Sequence, residues 1–357
     1  MNAFSRLSRY AIPLAALVLV GQGCIGGSKP AAGPDGGVFR TVNAGQAWTQ
    51  LKVLNLGTKI GSIANVGLAT LAQDPQDPKA LYAGTAQDGI LVSLDGGESW
   101  SQSPGSAGGP VVSIAVDPKD KCTVYAARRN QIIKTDNCMR DWKQAYFDPR
   151  TDKAVTAVMV DWFNPSVVYA ATNDGDILRS DDRGAAWRVA HRVAGTRVNN
   201  LAMDPTDSRV VYASLFGKGV AKTVDGGASW VELRDPLNSF DGARRTNFIA
   251  LDPNTKNRVY HASKYGVLIS DDGAATWTAL SLPTPPGTTD VKAFAVHPKD
   301  ARQLVYATDK SVVISKDGGL TWTPAKLPTA RPPAVLMYGM SEGYPLYLGP
   351  AQPPEKK

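Results

Sequence analysis

An eight-residue phrase that recurs seven times constrains this chain more than any other feature. In its fullest form it is Ser315-Lys316-Asp317-Gly318-Gly319-Leu320-Thr321-Trp322, or S-x-D-x-G-x-x-W. Clean copies lie at 93–100 with Asp95 and Trp100, at 180–187 with Asp182 and Trp187, and at 223–230 with Asp225 and Trp230. The copy at 41–48 carries Asn43 ahead of Trp48, and the copy at 270–277 keeps Asp272 and Trp277 but has Ala274 in place of glycine. The poorest copy, 135–142, has Asn137 for aspartate and Met139 for glycine ahead of Trp142. Successive tryptophans stand 52, 42, 45, 43, 47 and 45 residues apart. A period of about 45 marks a propeller or solenoid, in which each unit buries its apolar face against the next.

The chemistry of the octet explains its residues. A short Asp or Asn side chain accepts hydrogen bonds from backbone N–H groups two or three residues on and closes a turn. Glycine at the fifth position takes a positive φ at little cost, so Ala274 and Met139 are expected to strain the turn or change its shape. Tryptophan then enters the next strand and covers the hairpin with a large apolar face. Seven aspartate ligand sites are the alternative, but a part copied into every repeat is architecture, and repeat arrays place function in what varies. The octet resembles the Asp-box, or BNR, repeat.

The chain of 357 residues has room for one large all-β domain or two ordinary ones. Its 34 glycines and 25 prolines suit short strands joined by turns. A formal net charge of +7 points to an acidic partner or an anionic surface. Three cysteines and three histidines (His191, His261, His297) are scattered without zinc or iron–sulfur spacing, so neither a metal nor a cofactor is expected.

Residues 1–24 read as an export signal, with Arg6 and Arg9 before an apolar run, Ala11 to Val20, too short to span a bilayer. The run ends in Gly21-Gln22-Gly23-Cys24, which resembles a bacterial lipoprotein signal with Cys24 as the lipidated new N-terminus, although Gly21 departs from the usual Leu-like residue. An ordinary secretory signal cut nearby is the alternative. Residues 25–35 read as a flexible tether, 36–350 as repeat, and 351–357 as a disordered tail.

Each unit also carries an apolar run ending in Asp-Pro or a variant, then an apolar-Tyr pair; the tyrosines are Tyr82, Tyr125, Tyr169, Tyr212, Tyr260, Tyr306 and Tyr347. Four strands per unit follow: the apolar run, the Tyr strand, the strand entering the octet, and the strand leaving through Trp. Neither end of the chain is a whole unit. Residues 37–41 and 43–50 supply a third and fourth strand, and 334–338 and 345–348 a first and second. The expected fold is all-β: a single seven-bladed β-propeller of four-stranded blades, its ring closed by N- and C-terminal strands sharing one blade, with only short protected edges. Cys122 and Cys138 fall eight residues either side of a hairpin turn near Asn130. They are expected to face each other across the ladder and, in an oxidising space, to form a disulfide; two buried free thiols are the alternative.

In an up-and-down blade the Asp-Pro loops and octets share one face. The second-to-third loops and the inter-blade crossings share the other. That second face collects Arg128, Arg129, Arg192, Arg197, Lys218, Arg244, Arg245 and Lys264, interspersed with Asp148, Asp152, Asp174, Asp235 and Asp241. These cations form a candidate binding patch on blades two to five, the alternative being solvated surface charge. No G-x-S-x-G, H-E-x-x-H or Walker motif occurs. None of the four glutamates (Glu98, Glu232, Glu342, Glu355) is placed to reach the channel mouth, and the Arg-Ile-Pro motif of sialidases is missing, so a sialidase is not expected.

Across 36–350 the chain is similar to the photosystem II assembly-factor propellers and their relatives in non-photosynthetic bacteria. That resemblance implies a non-enzymatic, lipid-anchored scaffold outside the cytoplasm, whose arginine patch binds a membrane protein or protein complex with an acidic surface. Nucleic acid is not an expected partner. A glycoside hydrolase or carbohydrate-binding propeller is the second expectation, with Asp and aromatic residues lining a groove.

Overall fold

The computed structural model describes residues 34–288 and 290–353. The signal, Cys24, nearly all of the proposed tether and the last four residues lie outside the described residues. The Val-, Ile- and Tyr-rich runs form antiparallel sheets, as β-branched and aromatic side chains suit a pleated, half-buried surface. Blade one runs Leu68–Gln73, Leu81–Thr85, Ile90–Ser93 and Ser99–Gln102 from axis to rim. Blades two to six repeat the order, opening with Val111–Asp117, Val155–Val160, Val198–Met203, Thr246–Leu251 and Ala293–Val296. These inner strands neighbour one another in sequence, and Pro333–Tyr338 meets Leu68–Gln73 to complete the ring.

Blade seven takes Pro333–Tyr338 and Leu346–Pro350 from the end of the chain, and Val38–Thr41 and Thr49–Leu51 from its beginning. The join is antiparallel, with Phe39 opposite Leu348 and Arg40 opposite Tyr347. Both flanks are tied down further than the sequence indicates. Asp35, assigned above to the tether, accepts a 2.7 Å bond from Arg331 Nε, and Gly36 N–H bonds Ala64 O. Ala351 and Gln352, assigned to the tail, are also held: Ala351 N–H donates to Pro332 O, and Gln352 Oε1 accepts from Gly67 N–H at 3.0 Å. Closure needs these contacts because backbone groups at a join must find partners.

One blade departs from four strands. Between blades seven and one the chain makes an extra hairpin, Val53–Leu56 with Lys59–Ser62, whose first strand pairs in parallel with Ser99–Gln102. Blade one therefore has six strands, and the long 52-residue gap between Trp48 and Trp100 is this hairpin.

The core lies between blades. All seven repeat tyrosines are buried. Tyr125, Tyr169 and Tyr347 each donate from the hydroxyl to the fourth-position carbonyl of the next blade's octet, at Arg183 (2.8 Å), Gly226 (2.6 Å) and Gly96 (3.1 Å). The cross-strand neighbour of the tyrosine decides what joins it. Lys134, Arg179, Lys222 and Arg40 stand opposite Tyr125, Tyr169, Tyr212 and Tyr347 and donate to the same kind of carbonyl, at Arg183, Gly226, Gly273 and Gly96. In the other three blades that neighbour is Val92, Ile269 or Val313, and the seam is apolar. The tryptophans work in the opposite direction. The indole N–H groups of Trp142, Trp187 and Trp322 reach back to Ser103, Ala145 and Ser281 of the preceding blade.

The octet turn uses its first residue more than the sequence indicates. In the copy at 315–322 the Ser315 hydroxyl accepts from Gly319 N–H at 2.7 Å and donates to Asp317 Oδ1 at 2.8 Å, while Asp317 Oδ1 accepts from Thr321 N–H at 2.9 Å. The carboxylate thus reaches four residues on, while in the 135–142 copy Asn137 Oδ1 accepts from both Arg140 N–H, three residues on, and Asp141 N–H, four on. Positions four and five both have positive φ in every copy, including Ala274 at 75° and Met139 at 61°. The non-glycine residues keep the turn's shape and accept the left-handed conformation.

Candidate binding face

On the face opposite the octets, the hairpins between second and third strands stand beside the crossings between blades. Phe216 occupies one such hairpin, next to Gly217 with φ of 78°, and is 45% exposed. Two hollows meet at its ring. One, of about 610 Å³, is lined by Arg150, Lys153, Asn173, Asp174, Arg192, Thr196 and Arg197; the other, of about 310 Å³, by Arg245, Asn247, Lys264 and Asp290. The Arg245 guanidinium lies 5.8 Å from the centre of the Phe216 ring, a cation–π distance.

The predicted cations do not share one fate. Arg192 is neutralised by a bidentate pair with Asp176, whose carboxylate raises its pKa. Lys218 donates to Ala194 O, Arg244 to Asn238 Oδ1, and Arg128 to Ala107 O at 3.1 Å. Arg129 packs its guanidinium over Gly109. Of these, only Arg192 lines either hollow. Arg197, Arg245 and Lys264 are exposed, line the hollows, and make no ion pair among the described residues. These three are the cations of this face free to contribute to its long-range field, and Phe216 is the apolar side chain between them.

Sequence reading missed Arg150, Lys153 and Phe216. The two cations pair with Asp148 and Asp174, two of the five acids expected to dilute the field, and leave Asp235 and Asp241 untouched. Arg150 is bidentate to Asp148 (2.9 and 2.5 Å) and 3.6 Å from Asp174, and Lys153 is 2.7 Å from Asp174. The hydrogen bond from Arg150 holds the Asp148 carboxyl down at about 2. Burial alone would raise Asp174, but bonds from Lys153 and Thr172 outweigh it and the net shift is downward. Asp148 raises Arg150, and Asp174 raises Lys153. A single exposed Phe beside a Gly-Lys-Gly turn was the one sequence signal for the centre of this face.

Elsewhere, Cys122 and Cys138 are disulfide-bonded, with Cα atoms 3.9 Å apart. The strand register alone does not align them, since Val124 pairs with Thr135; the octet turn brings Cys138 N–H onto Cys122 O at 3.2 Å. A wider groove of about 860 Å³ runs between blades six and seven past Trp48, Phe39, Lys316 and Lys326, with no carboxylate in its lining. Glu98 pairs with Arg40 at 2.7 Å inside an octet, and Glu232 pairs with Arg234 on an outer strand. No group of three or more metal-ligating side chains occurs among the described residues.

No family model matches the chain. It is 29% identical over 208 residues to a xyloglucanase of Hypocrea jecorina, covering 50% of this chain and 23% of that protein. A xyloglucanase of Paenibacillus sp is 27% identical over 236 residues, covering 49% of this chain and 21% of the other. The chain thus spans under a quarter of the length of these relatives. In structure it is similar to the GH74 xyloglucanase of Xanthomonas campestris (TM-score 0.65, 16% identity, 80% of this chain and 51% of that one). It is similar also to YCF48 from Cyanidioschyzon merolae (TM-score 0.62, 14% identity, 80% and 96%) and to YCF48 bound to D1 peptide (TM-score 0.61, 14% identity, 80% and 94%). At these identities the likeness is one of fold: a seven-bladed β-propeller.

Proposed function

We propose that this protein is a non-enzymatic scaffold, lipid-anchored through Cys24 on the extracytoplasmic side of a bacterial membrane, that docks an acidic protein surface against the Phe216 face. The observation that carries the reading is the placement of Arg197, Arg245 and Lys264, without ion-pair partners, around one exposed aromatic ring. Aromatic and arginine side chains at the centre of an interface are what protein recognition uses most heavily. A propeller similar in fold binds a peptide, and that chain is matched over nearly its full length. The octets, by contrast, spend their polar groups on their own turns.

The test is capture of partners from native membranes by the full chain and by the triple variant Arg197→Glu, Arg245→Glu, Lys264→Glu. One protein retained by the first and lost with the second, at unchanged melting temperature, is the expected result. Equal capture by both sinks the proposal.

The glycan reading keeps two specific supports: the sequence likeness to xyloglucanases and the Trp48 groove, whose ring could stack on a sugar. Hydrolysis fits less well. Glycoside hydrolysis needs one carboxyl group raised to act as acid. Among the described residues every carboxyl group that the fold displaces moves downward instead, Asp174 of the hollow and its neighbour Asp148 among them. A screen for reducing-sugar release from xyloglucan should read zero. Weak binding abolished by Trp48→Ala would make this a carbohydrate-binding propeller.

A further inference from the structure

We infer that the extra hairpin, Val53–Leu56 with Lys59–Ser62, is a membrane-contact element that seats the rim of blade one on an anionic lipid surface. The inference rests on the lipid-anchored part of the reading above and is independent of the Phe216 face.

Three observations carry it. First, the hairpin adds nothing to the ring, yet it presents apolar side chains to solvent: Ile60 is 80% exposed, Leu56 54% and Val53 38%. Only Leu54 turns inward, packing on the cluster around Trp100. By register Val53 and Ile60 project from one face of the ribbon and Leu56 from the other, so the protruding ribbon is apolar on both sides, which suits edge-on insertion into a headgroup layer. Second, the ribbon's own charge has one sign, and the nearest carboxylates, Asp95 and Glu98 beside its base, are held by Ser99 and Arg40. From Gly36 to Gln73 there is no acidic residue, and Lys52 and Lys59 flank the apolar pair, which suits phosphate headgroups. A protein partner of the acidic kind proposed for the other face would find here only two cations on a mainly apolar ribbon. Third, the chain enters the ring at the base of this hairpin. Gly36 and Gly37 N–H bond Ala64 O and Val66 O, Gln50 Nε2 bonds Pro34 O and Gly36 O, and Ile63 N–H bonds Lys52 O. The ten steps from Cys24 to Pro34 reach at most about 35 Å when extended, so an anchor at Cys24 would hold this rim close to the bilayer. The unpaired edge of Lys59–Ser62 can be satisfied by headgroups and interfacial water, as an edge must be.

The experiment places a photo-crosslinking benzophenone amino acid at position 60 of the full chain, and separately at position 224, where Val224 is 59% exposed on the octet face. Both chains are illuminated in native membranes and in phosphatidylglycerol-containing vesicles, and adducts are weighed by mass spectrometry. Phospholipid adducts at position 60 at least tenfold above those at 224 are expected, and the Leu56→Asp, Lys59→Glu background should reduce them at least fivefold. Equal yields at the two positions, or adducts at 60 with protein alone, overturn the inference. The triple charge-reversal variant of the Phe216 face serves as a further control. It should give unchanged lipid adducts, so failure of partner capture and failure of membrane contact are read separately.

Discussion

The octets at 315–322 and 135–142 make the same turn from different materials. In the first, Asp317 and two glycines fit it directly: Gly318 has φ of 78° and Gly319 of 91°. In the second, Cys138 (57°) and Met139 (61°) occupy the same left-handed positions, and Asn137 replaces the carboxylate. The first-position hydroxyl is common to both. Thr135 Oγ1 accepts from Met139 N–H at 3.0 Å, as Ser315 does from Gly319 at 2.7 Å. The poorer copy adds two restraints: the disulfide from Cys138 to Cys122, and Met139 packed against the Tyr82 cluster. The lesson is that the hydroxyl defines the turn. The glycines lower its cost, and a side chain may replace them when tertiary contacts hold the strained backbone in place.

Four measurements would break or sharpen this comparison. Removing the disulfide, Cys122→Ser with Cys138→Ser, should cost roughly 2–4 kcal/mol by denaturant titration, because a short loop loses its closure and two strained residues lose their clamp. A loss under about 0.5 kcal/mol would show that Met139 packing alone suffices. Ser315→Ala leaves the buried Gly319 N–H without an acceptor and should cost about 1–3 kcal/mol, as should Ser180→Ala; Arg197→Ala on the binding face should stay within about 0.5 kcal/mol. Ala44, exposed with φ of 53°, should become more stable by roughly 0.5–1 kcal/mol as Ala44→Gly. Acid should separate the two kinds of turn. Hydrogen bonds from Thr321 and Ser315 hold Asp317 at about 2. A depressed folded value contributes stability above the ordinary carboxyl pKa, lost as pH falls from about 4 towards 2. Asn137 has no such dependence. Hydrogen exchange at Thr321 N–H should therefore accelerate between pH 4 and pH 2 relative to Asp141 N–H, and parallel behaviour would count against the carboxylate's role.

The ring was legible because its parts are written seven times. The octets and the tyrosines set blade count, strand order and closure, and the structure follows them strand for strand in blade seven. The additional hairpin was visible only as an over-long gap between Trp48 and Trp100, since it is not repeated and its alternation is weak. The seam cations Lys134, Arg179, Lys222 and Arg40 look like solvated strand residues until register sets them against tyrosines. The candidate face was half legible. Composition located its cations, but which acids still oppose them depends on Arg150 and Lys153 pairing with Asp148 and Asp174, a matter of side-chain geometry. Phe216 is one apolar residue among many in the sequence and becomes distinctive only when the hairpin turns it outward.

The shared blade also fixes when the molecule can be finished. Phe39 faces Leu348, so the first strand of the ring waits for the last one made, and nearly the whole chain must be present before the join can form. Contacts this distant in sequence form slowly. A ribosome releasing the chain residue by residue holds an open crescent with two unmatched edges throughout synthesis.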